Sequence, residues 1–284
     1  MRIAYQGEPG AFSEAAARLV DQGAQYVPCR TFEDVFDAVE QGPDRCGVLP
    51  IENSIGGSIH RNYDLLLEHQ LPIVGEVELP VVHHLLALPG TSIGGIRKIY
   101  SHPQALAQCE RFLRTLTGVE IVATYDTAGS AKMVADARLT DAAAIASARA
   151  GDIFGLAPLA SSIQDYNDNI TRFIVIGREP IKMGVPDKTS IVFALPNEPG
   201  SLFKALSVFA LRGLDLTKLE SRPIPGKPWE YLFYVDLAAA QDELACQRAL
   251  AHLGEFASML RTLGSYTSWK AQEHRLPDPF EVVS

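Results

Sequence analysis

Glu120-Ile121-Val122-Ala123-Thr124-Tyr125-Asp126-Thr127-Ala128-Gly129-Ser130 is the stretch that decides the fold class. Glu120 to Tyr125 has the pattern of a strand, Asp126 to Ser130 is a small polar turn, and a helix runs on through Ala135. The same design stands on both sides of it. Lys98-Ile99-Tyr100 leads into Ser101-His102-Pro103-Gln104 and a helix from Ala105 to Leu116, and Ala142 to Ser147 leads into a helix at Ala148 to Phe154. Earlier, Arg2 to Gln6 is a strand before a glycine-rich turn and a helix from Gly10 to Val20. Cys46 to Ile51 is a buried strand closed by Glu52-Asn53-Ser54, with Ser58 placed to cap the helix carrying Tyr63 to Leu67. Strands alternating with helices predict an α/β unit with a largely parallel sheet. Ligands of such sheets sit beyond the carboxyl ends of the strands, where helix N-termini present free N–H groups to anions.

Gly and Pro interrupt the pattern at Lys182-Met183-Gly184-Val185-Pro186-Asp187, and a second domain follows. Its order is strand (189–195), helix (201–211), strand (214–221), strand (230–237), helix (242–256) and strand (259–266). That is the βαββαβ order of a ferredoxin-like sandwich.

The 284 residues are ordinary for globular protein, 47% hydrophobic and 21% charged, and long enough for two or three domains. A net charge of −9 argues against a nucleic-acid partner. Cys29, Cys46, Cys109 and Cys246 have neither zinc nor disulfide-scaffold spacing. The adjacent His83 and His84 would point to opposite faces of a strand, which argues against metal binding there. The apolar stretch Leu79 to Leu88 is too short to span a bilayer, which takes about 20 residues. The start at Met1 to Gly7 reads as a first strand, not a targeting segment, so a cytoplasmic location is expected. There is no Gly-x-Gly-x-x-Gly after a strand, no P-loop, no Gly-x-Ser-x-Gly elbow and no His-Glu-x-x-His.

Asp168-Asn169-Ile170-Thr171-Arg172-Phe173, running into Ile174-Val175-Ile176, sets a neutral hydroxyl beside a fixed cation at the entry to a strand. A threonine can hydrogen-bond a departing oxygen, and an arginine offers bidentate recognition of a carboxylate or a structural ion pair. An acidic substrate that loses a hydroxyl fits both groups.

Taken together, Tyr5-Gln6-Gly7-Glu8-Pro9-Gly10-Ala11-Phe12-Ser13, Pro50-Ile51-Glu52-Asn53-Ser54, Ser101-His102-Pro103-Gln104-Ala105 and Asn169-Ile170-Thr171-Arg172-Phe173 resemble the prephenate dehydratases in order and approximate spacing. Asn197-Glu198-Pro199-Gly200-Ser201-Leu202 and Glu220-Ser221-Arg222-Pro223 look like the two effector motifs of that family's ACT regulatory domain. The resemblance covers about residues 1–267 and implies a two-lobed, type II periplasmic-binding-protein-like catalytic domain over 1–181. Lobe 1 would take about 1–76 and 159–181, and lobe 2 about 77–158. An ACT domain over 187–267 and a tail over 268–284 complete the chain.

The implied reaction is loss of carbon dioxide and water from prephenate to give phenylpyruvate, driven by aromatisation and without a cofactor or metal. By resemblance Thr171 is the donor to the leaving hydroxyl and Arg172 the carboxylate clamp. Asn53, Ser101 and Gln108 would line the cleft as uncharged hydrogen-bonding groups. Ser58, Thr127, Gly129 and Ser130 are candidate substrate contacts at helix starts, and Phe173 is expected to pack under the loop. L-Phenylalanine is the implied inhibitor, bound where ACT domains pair in a homodimer or homotetramer. Asn197, Pro199, Gly200, Ser201 and Leu202 would contact it with Glu220, Ser221 and Arg222 of the pairing copy. Ser201 stands where the family's turn has alanine. Arogenate, with an amine in place of the keto oxygen, is the alternative substrate. A non-catalytic amino-acid sensor or a solute-binding receptor is the alternative of another class.

Overall fold

The computed structural model describes residues 1–181, 183–224 and 226–272; Lys182 of the expected linker and the tail beyond 272 lie outside the described residues. The elements run β1 (Arg2–Gln6), α1 (Phe12–Val20), β2 (Gln25–Cys29), α2 (Phe32–Glu40), β3 (Cys46–Asn53), β4 (Gly57–Ser58), α3 (His60–Glu68) and β5 (Ile73–Pro80). Then come β6 (His84–Ala87), β7 (Lys98–Ser101), α4 (Pro103–Gln108), α5 (Glu110–Leu113), β8 (Glu120–Ala123), α6 (Thr127–Asp136), β9 (Ala142–Ala146), α7 (Ala148–Phe154), β10 (Ala157–Ala160) and β11 (Ile170–Gly177). The last part holds β12 (Lys188–Ala194), α8 (Ser201–Ala210), β13 (Leu216–Pro223), β14 (Tyr231–Leu237), α9 (Leu244–Gly254), β15 (Met259–Tyr266) and α10 (Trp269–Gln272). Packing divides the chain into Met1–His69 with Val77–Val175, and Gln70–Glu76 with Ile176–Ser284. No helix among the described residues is long and apolar enough to cross a membrane.

The first unit holds two lobes. Lobe 1 is built on the strand order β2-β1-β3-β11-β5, with β4 folded back onto β3. The inner strand β1 lies parallel to β2 and β3, and its Ile3, Ala4 and Tyr5 are buried on both faces, as a strand covered by helices on either side requires. Lobe 2 has the order β10-β6-β9-β7-β8. Its middle strand β9 reads Ala-Ala-Ala-Ile-Ala and is wholly buried, small residues that let α6 lie close against the sheet. Here the expectation of a largely parallel sheet is corrected: β7 is parallel to β8 and β9, but β6 is antiparallel to both β9 and β10. The chain enters this lobe through β6 and leaves through β10, so the two strands lie side by side without a crossover helix. The whole of β5 belongs to the lobe 1 sheet, so lobe 2 starts after Pro80 rather than at 77.

Side-chain caps open several of the helices. Asp126 accepts from Ala128 N, Ser147 from Ala150 N, and His102 Nδ1 from Gln104 N. Ser58 does not cap α3; it pairs with Glu52 inside the β4 hairpin one residue too early, and the N-cap position falls on Ile59.

Glu14 on α1 is a buried tie between the lobes. Its carboxylate accepts from Gly10 N at 2.6 Å, Arg18 at 2.9 Å and, across the lobes, Arg149 at 3.0 Å. Burial alone would raise its pKa, but the Gly10 N–H and the two guanidinium groups outweigh burial and hold the group below the usual glutamate value. A depressed folded pKa means stability present above the unfolded value of about 4.3 and lost as pH falls through the folded one. Urea midpoints of wild type and Glu14→Gln should therefore differ at pH 7 and converge as pH falls below the folded pKa. A gap that stays constant with pH would remove Glu14 from acid sensitivity.

In the second unit the order β13-β14-β12-β15 with α8 and α9 is the expected ferredoxin-like sandwich. Ile191, Phe193, Val208, Phe209, Val235, Leu237 and Leu253 form its core. Glu76, which belongs to this unit, is buried in an ion pair with Lys188 at 2.6 Å and also accepts from Trp269 N.

Candidate active site

Between the two lobes of the first unit lies a cavity of about 370 Å³, within the usual range for small-molecule sites. Lobe 1 contributes Gln6, Phe12, Ser13, Asn53, Thr171 and Phe173; lobe 2 contributes His83, His102, Gln104, Gln108, Tyr125, Asp126 and Thr127. Every strand end that reaches it is followed by a turn or helix start, the geometry expected of α/β ligand sites.

The polar wall is built outward from backbone. The N–H groups of Ile55 and Gly56 donate to Asn53 Oδ1 at 3.1 and 2.7 Å, which fixes the orientation of that amide. Asn53 Nδ2 then donates to Asn169 Oδ1 at 2.7 Å and to Thr171 Oγ1 at 2.9 Å. Gln108 Nε2 donates to Asn53 Oδ1 at 3.0 Å, and Gln108 Oε1 accepts from Asn169 Nδ2 at 2.9 Å and lies 3.0 Å from His83 Nε2. Since that oxygen can only accept, His83 carries its proton on Nε2. Ser54 holds the loop in register, donating to Asp168 O and accepting from Ile170 N.

Thr171 is 7% exposed, its oxygen accepts from Asn53 Nδ2, and no acceptor for its hydroxyl proton is found among the described residues. Neighbours on a strand alternate faces, which puts Thr171 and Phe173 on the cavity wall and Arg172 on the opposite side. There Arg172 lies 3.6 Å from Glu52. The sequence left both a carboxylate clamp and a structural ion pair open for this arginine, and the contact seen is the ion pair.

Of the other expected site residues, Asn53, Gln108 and Thr127 line the cavity and four do not. Ser101 is fully buried and donates to Ile145 O at 2.7 Å, which ties β7 to the end of β9. Ser130 bonds Thr124 and the Asp126 carbonyl within its own helix start. Gly129 sits under the Tyr125 ring, where a Cβ would collide. Ser58 is held in the β4 hairpin. Small residues at helix starts are used here for local bonds and close packing, and sequence spacing does not separate that use from ligand contact. Conversely, His83, Asn169 and Asp126 received no site role from the sequence. His83 stands outside β6, so the alternation that argued against a histidine pair said nothing about the direction of its ring. Asn169 lay inside the quoted Asn-Ile-Thr-Arg-Phe motif, and its amide character next to Thr171 was the available signal.

Among the described residues lining the cavity there is no lysine or arginine, and Asp126 is the one carboxylate. Burial pushes the pKa values of His83 and His102 down, so both stay neutral near pH 7. Negative charge in a ligand therefore meets N–H and O–H dipoles and helix starts, not a cation.

In the second unit Asn197, Ser201 and Leu202 line a pocket of about 120 Å³ with Trp229, Tyr231 and Phe233. Gly200, at φ +83°, makes the turn into α8 that brings Ser201 and Leu202 there, with Pro199 just before it. Glu220, Ser221 and Arg222 lie on β13, the edge of the sheet, and do not line this pocket.

A polar cleft between two α/β lobes, joined in one chain to a ferredoxin-like module, defines a small-molecule enzyme with a regulatory domain. Residues 3–181 match the family described as prephenate dehydratase, and residues 189–250 match the ACT domain. Arogenate dehydratase/prephenate dehydratase 2, chloroplastic, of Arabidopsis thaliana is 53% identical over 277 residues, covering 94% of this chain and 72% of that relative. The crystal structure of prephenate dehydratase from Arthrobacter aurescens in complex with L-Phe aligns with a TM-score of 0.87 and 31% identity, covering 96% of this chain and 92% of that one. A structure described as GqqA, a novel type of quorum quenching acylase, aligns at 0.85 with 35% identity, covering 94% and 98%. The chain belongs to the prephenate dehydratase family, hydro-lyases of phenylalanine biosynthesis, and carries that family's ACT domain.

Proposed function

We propose that this chain removes carbon dioxide and water from prephenate or its amino counterpart arogenate, with Thr171 as donor to the leaving hydroxyl. The observation that carries this reading is the Thr171 hydroxyl: its oxygen is held by Asn53 and its proton is unengaged among the described residues. In the reaction the bond from ring to carboxylate breaks, its electron pair enters the ring, and the ring C–O bond opens. The departing oxygen leaves as water once it has taken a proton. Negative charge thus moves from the carboxylate to the leaving oxygen. A fixed donor at the leaving oxygen favours that shift.

The Asn53, Gln108 and Asn169 amides preorganise the donor, and Thr127 and Phe173 bound the remainder of the substrate. L-Phenylalanine acts as inhibitor at the turn from Asn197 to Leu202; the L-Phe complex of the Arthrobacter relative supports this. Two copies pair through the second unit, in keeping with the open edge strand β13 and the exposed Leu219 and Phe203. Pairing would bring Glu220, Ser221 and Arg222 of one copy to the effector turn of the other. A reducing compartment, the cytoplasm on the sequence reading, suits the four free thiols; the Arabidopsis relative is named chloroplastic.

One preparation tests the whole reading. Purified protein should convert prephenate to phenylpyruvate or arogenate to phenylalanine without added metal or nucleotide, be slowed by phenylalanine, and scatter light as a dimer or larger. Binding of phenylalanine without turnover of either substrate would make the chain a sensor instead.

A further inference from the structure

Resting on the dehydratase reading, we infer that Asp126 sets the preference between the two substrates, receiving the side-chain ammonium of arogenate and disfavouring the keto acid prephenate. The two molecules share a ring, a leaving hydroxyl and two carboxylates, and differ only where an ammonium replaces a keto oxygen. Prephenate thus carries two negative charges and no positive one, while arogenate carries one net negative charge and a cation. An ammonium donates only, so its receptor must be an acceptor, best a carboxylate.

Among the described residues, the cavity lining offers one carboxylate. Asp126 is 9% exposed, and what remains open is on the cavity wall. Its carboxylate is held by uncharged donors: Oδ2 accepts from Glu8 N at 3.0 Å and Oδ1 from Ala128 N at 3.3 Å, and the Thr127 and Gly129 N–H groups also favour its charged form. Lys132, on the same helix, is bonded to the Glu8 side chain at 3.0 Å. His102, which also lines the cavity, accepts at Nδ1 from Gln104 N and is neutral. Burial pushes the Asp126 carboxyl above its usual range, against the backbone N–H groups that bond it.

The placement also suits the substrate's shape. Leaving hydroxyl and side chain sit at opposite ends of the ring. Thr171, with Asn53, Gln108 and His83, reaches the cavity wall from one hydrogen-bonded group, and Asp126, held by Glu8 N, reaches it from another.

Asp126 has a second use: it caps α6 and bonds lobe 1 through Glu8 N. The test must therefore separate charge recognition from lobe contact. Asp126→Asn and Asp126→Ser both keep an oxygen able to cap the helix and remove the charge. With kcat/KM measured for both substrates, wild type should favour arogenate. In each variant arogenate should fall on the order of 10- to 100-fold, the worth of one hydrogen bond to a charged group, while prephenate rises. Equal losses for both substrates would assign Asp126 to lobe contact alone and overturn the inference. A wild type that prefers prephenate would overturn it too. A wild type inactive on both would instead remove the dehydratase reading on which it rests.

Discussion

Thr171→Val lowers kcat by roughly 100-fold or more, the loss seen when one preorganised donor to a developing oxyanion is removed, and changes KM little. Valine keeps the shape and branching of threonine, so the strand and the wall beside Phe173 are preserved. What disappears is the single proton that Asn53 leaves unengaged. Thr171→Ser should retain most of the rate, because the oxygen keeps its partner while only a methyl group is lost. Steady-state kinetics on the preferred substrate, with circular dichroism to verify folding, decide the point. A valine variant within threefold of wild-type kcat would take Thr171 out of the mechanism.

Gly10→Ala should be among the most destabilising single-methyl changes in the chain. Gly10 adopts φ +92°, and a Cβ there would lie 2.7 Å from the Cα of Ala150 on the facing lobe. The left-handed conformation costs a non-glycine residue about 1–2 kcal/mol, and overpacking against backbone a further 1–3 kcal/mol. Gly118 supplies the control: it has φ +71° but nothing within 4 Å of an added Cβ, so Gly118→Ala should show only the conformational part. The expected ordering of urea midpoints is wild type, then Gly118→Ala, then Gly10→Ala. The Gly10 variant should also lose kcat/KM, since Ser147 Oγ donates to Gly10 O at 2.6 Å and Glu14 accepts from Gly10 N beside the cleft. Equal midpoints for the two variants would mean that the lobes can separate to admit a methyl group.

Much of this architecture was legible in the sequence because it follows from short-range pattern. The strand, turn and helix succession from 98 to 154 and the βαββαβ order after 187 rest on periodicity and on Gly and Pro punctuation, both local signals. The antiparallel β6 was not legible, because strand direction depends on which strand lies beside it, and β6 meets β9 and β10 only through long-range pairing. The site divides in the same way. Asn53, Gln108 and Thr171 were identifiable by residue type and motif. The face occupied by Arg172 follows from simple alternation once Thr171 is placed inward, yet a cation beside a hydroxyl drew attention as a pair. Ser101 and Ser130 show the limit most plainly: a buried serine bonded to a carbonyl and one bonded to a ligand are the same letter.

The order of strands in lobe 1 has a consequence for how the enzyme comes into being. Strand β11 inserts between β3 and β5, although all of lobe 2 separates it from them in sequence. A growing chain that has completed β10 therefore possesses a lobe 2 whose pairings are closed within residues 84–160, but a lobe 1 lacking an inner strand. That strand bears Thr171, and its entry forms the bond to Asn53 across 118 positions. Catalytic competence and closure of the lobe 1 sheet thus arrive in one late step, so a nascent or truncated chain stopping short of residue 170 is expected to bring no partial activity into the cell.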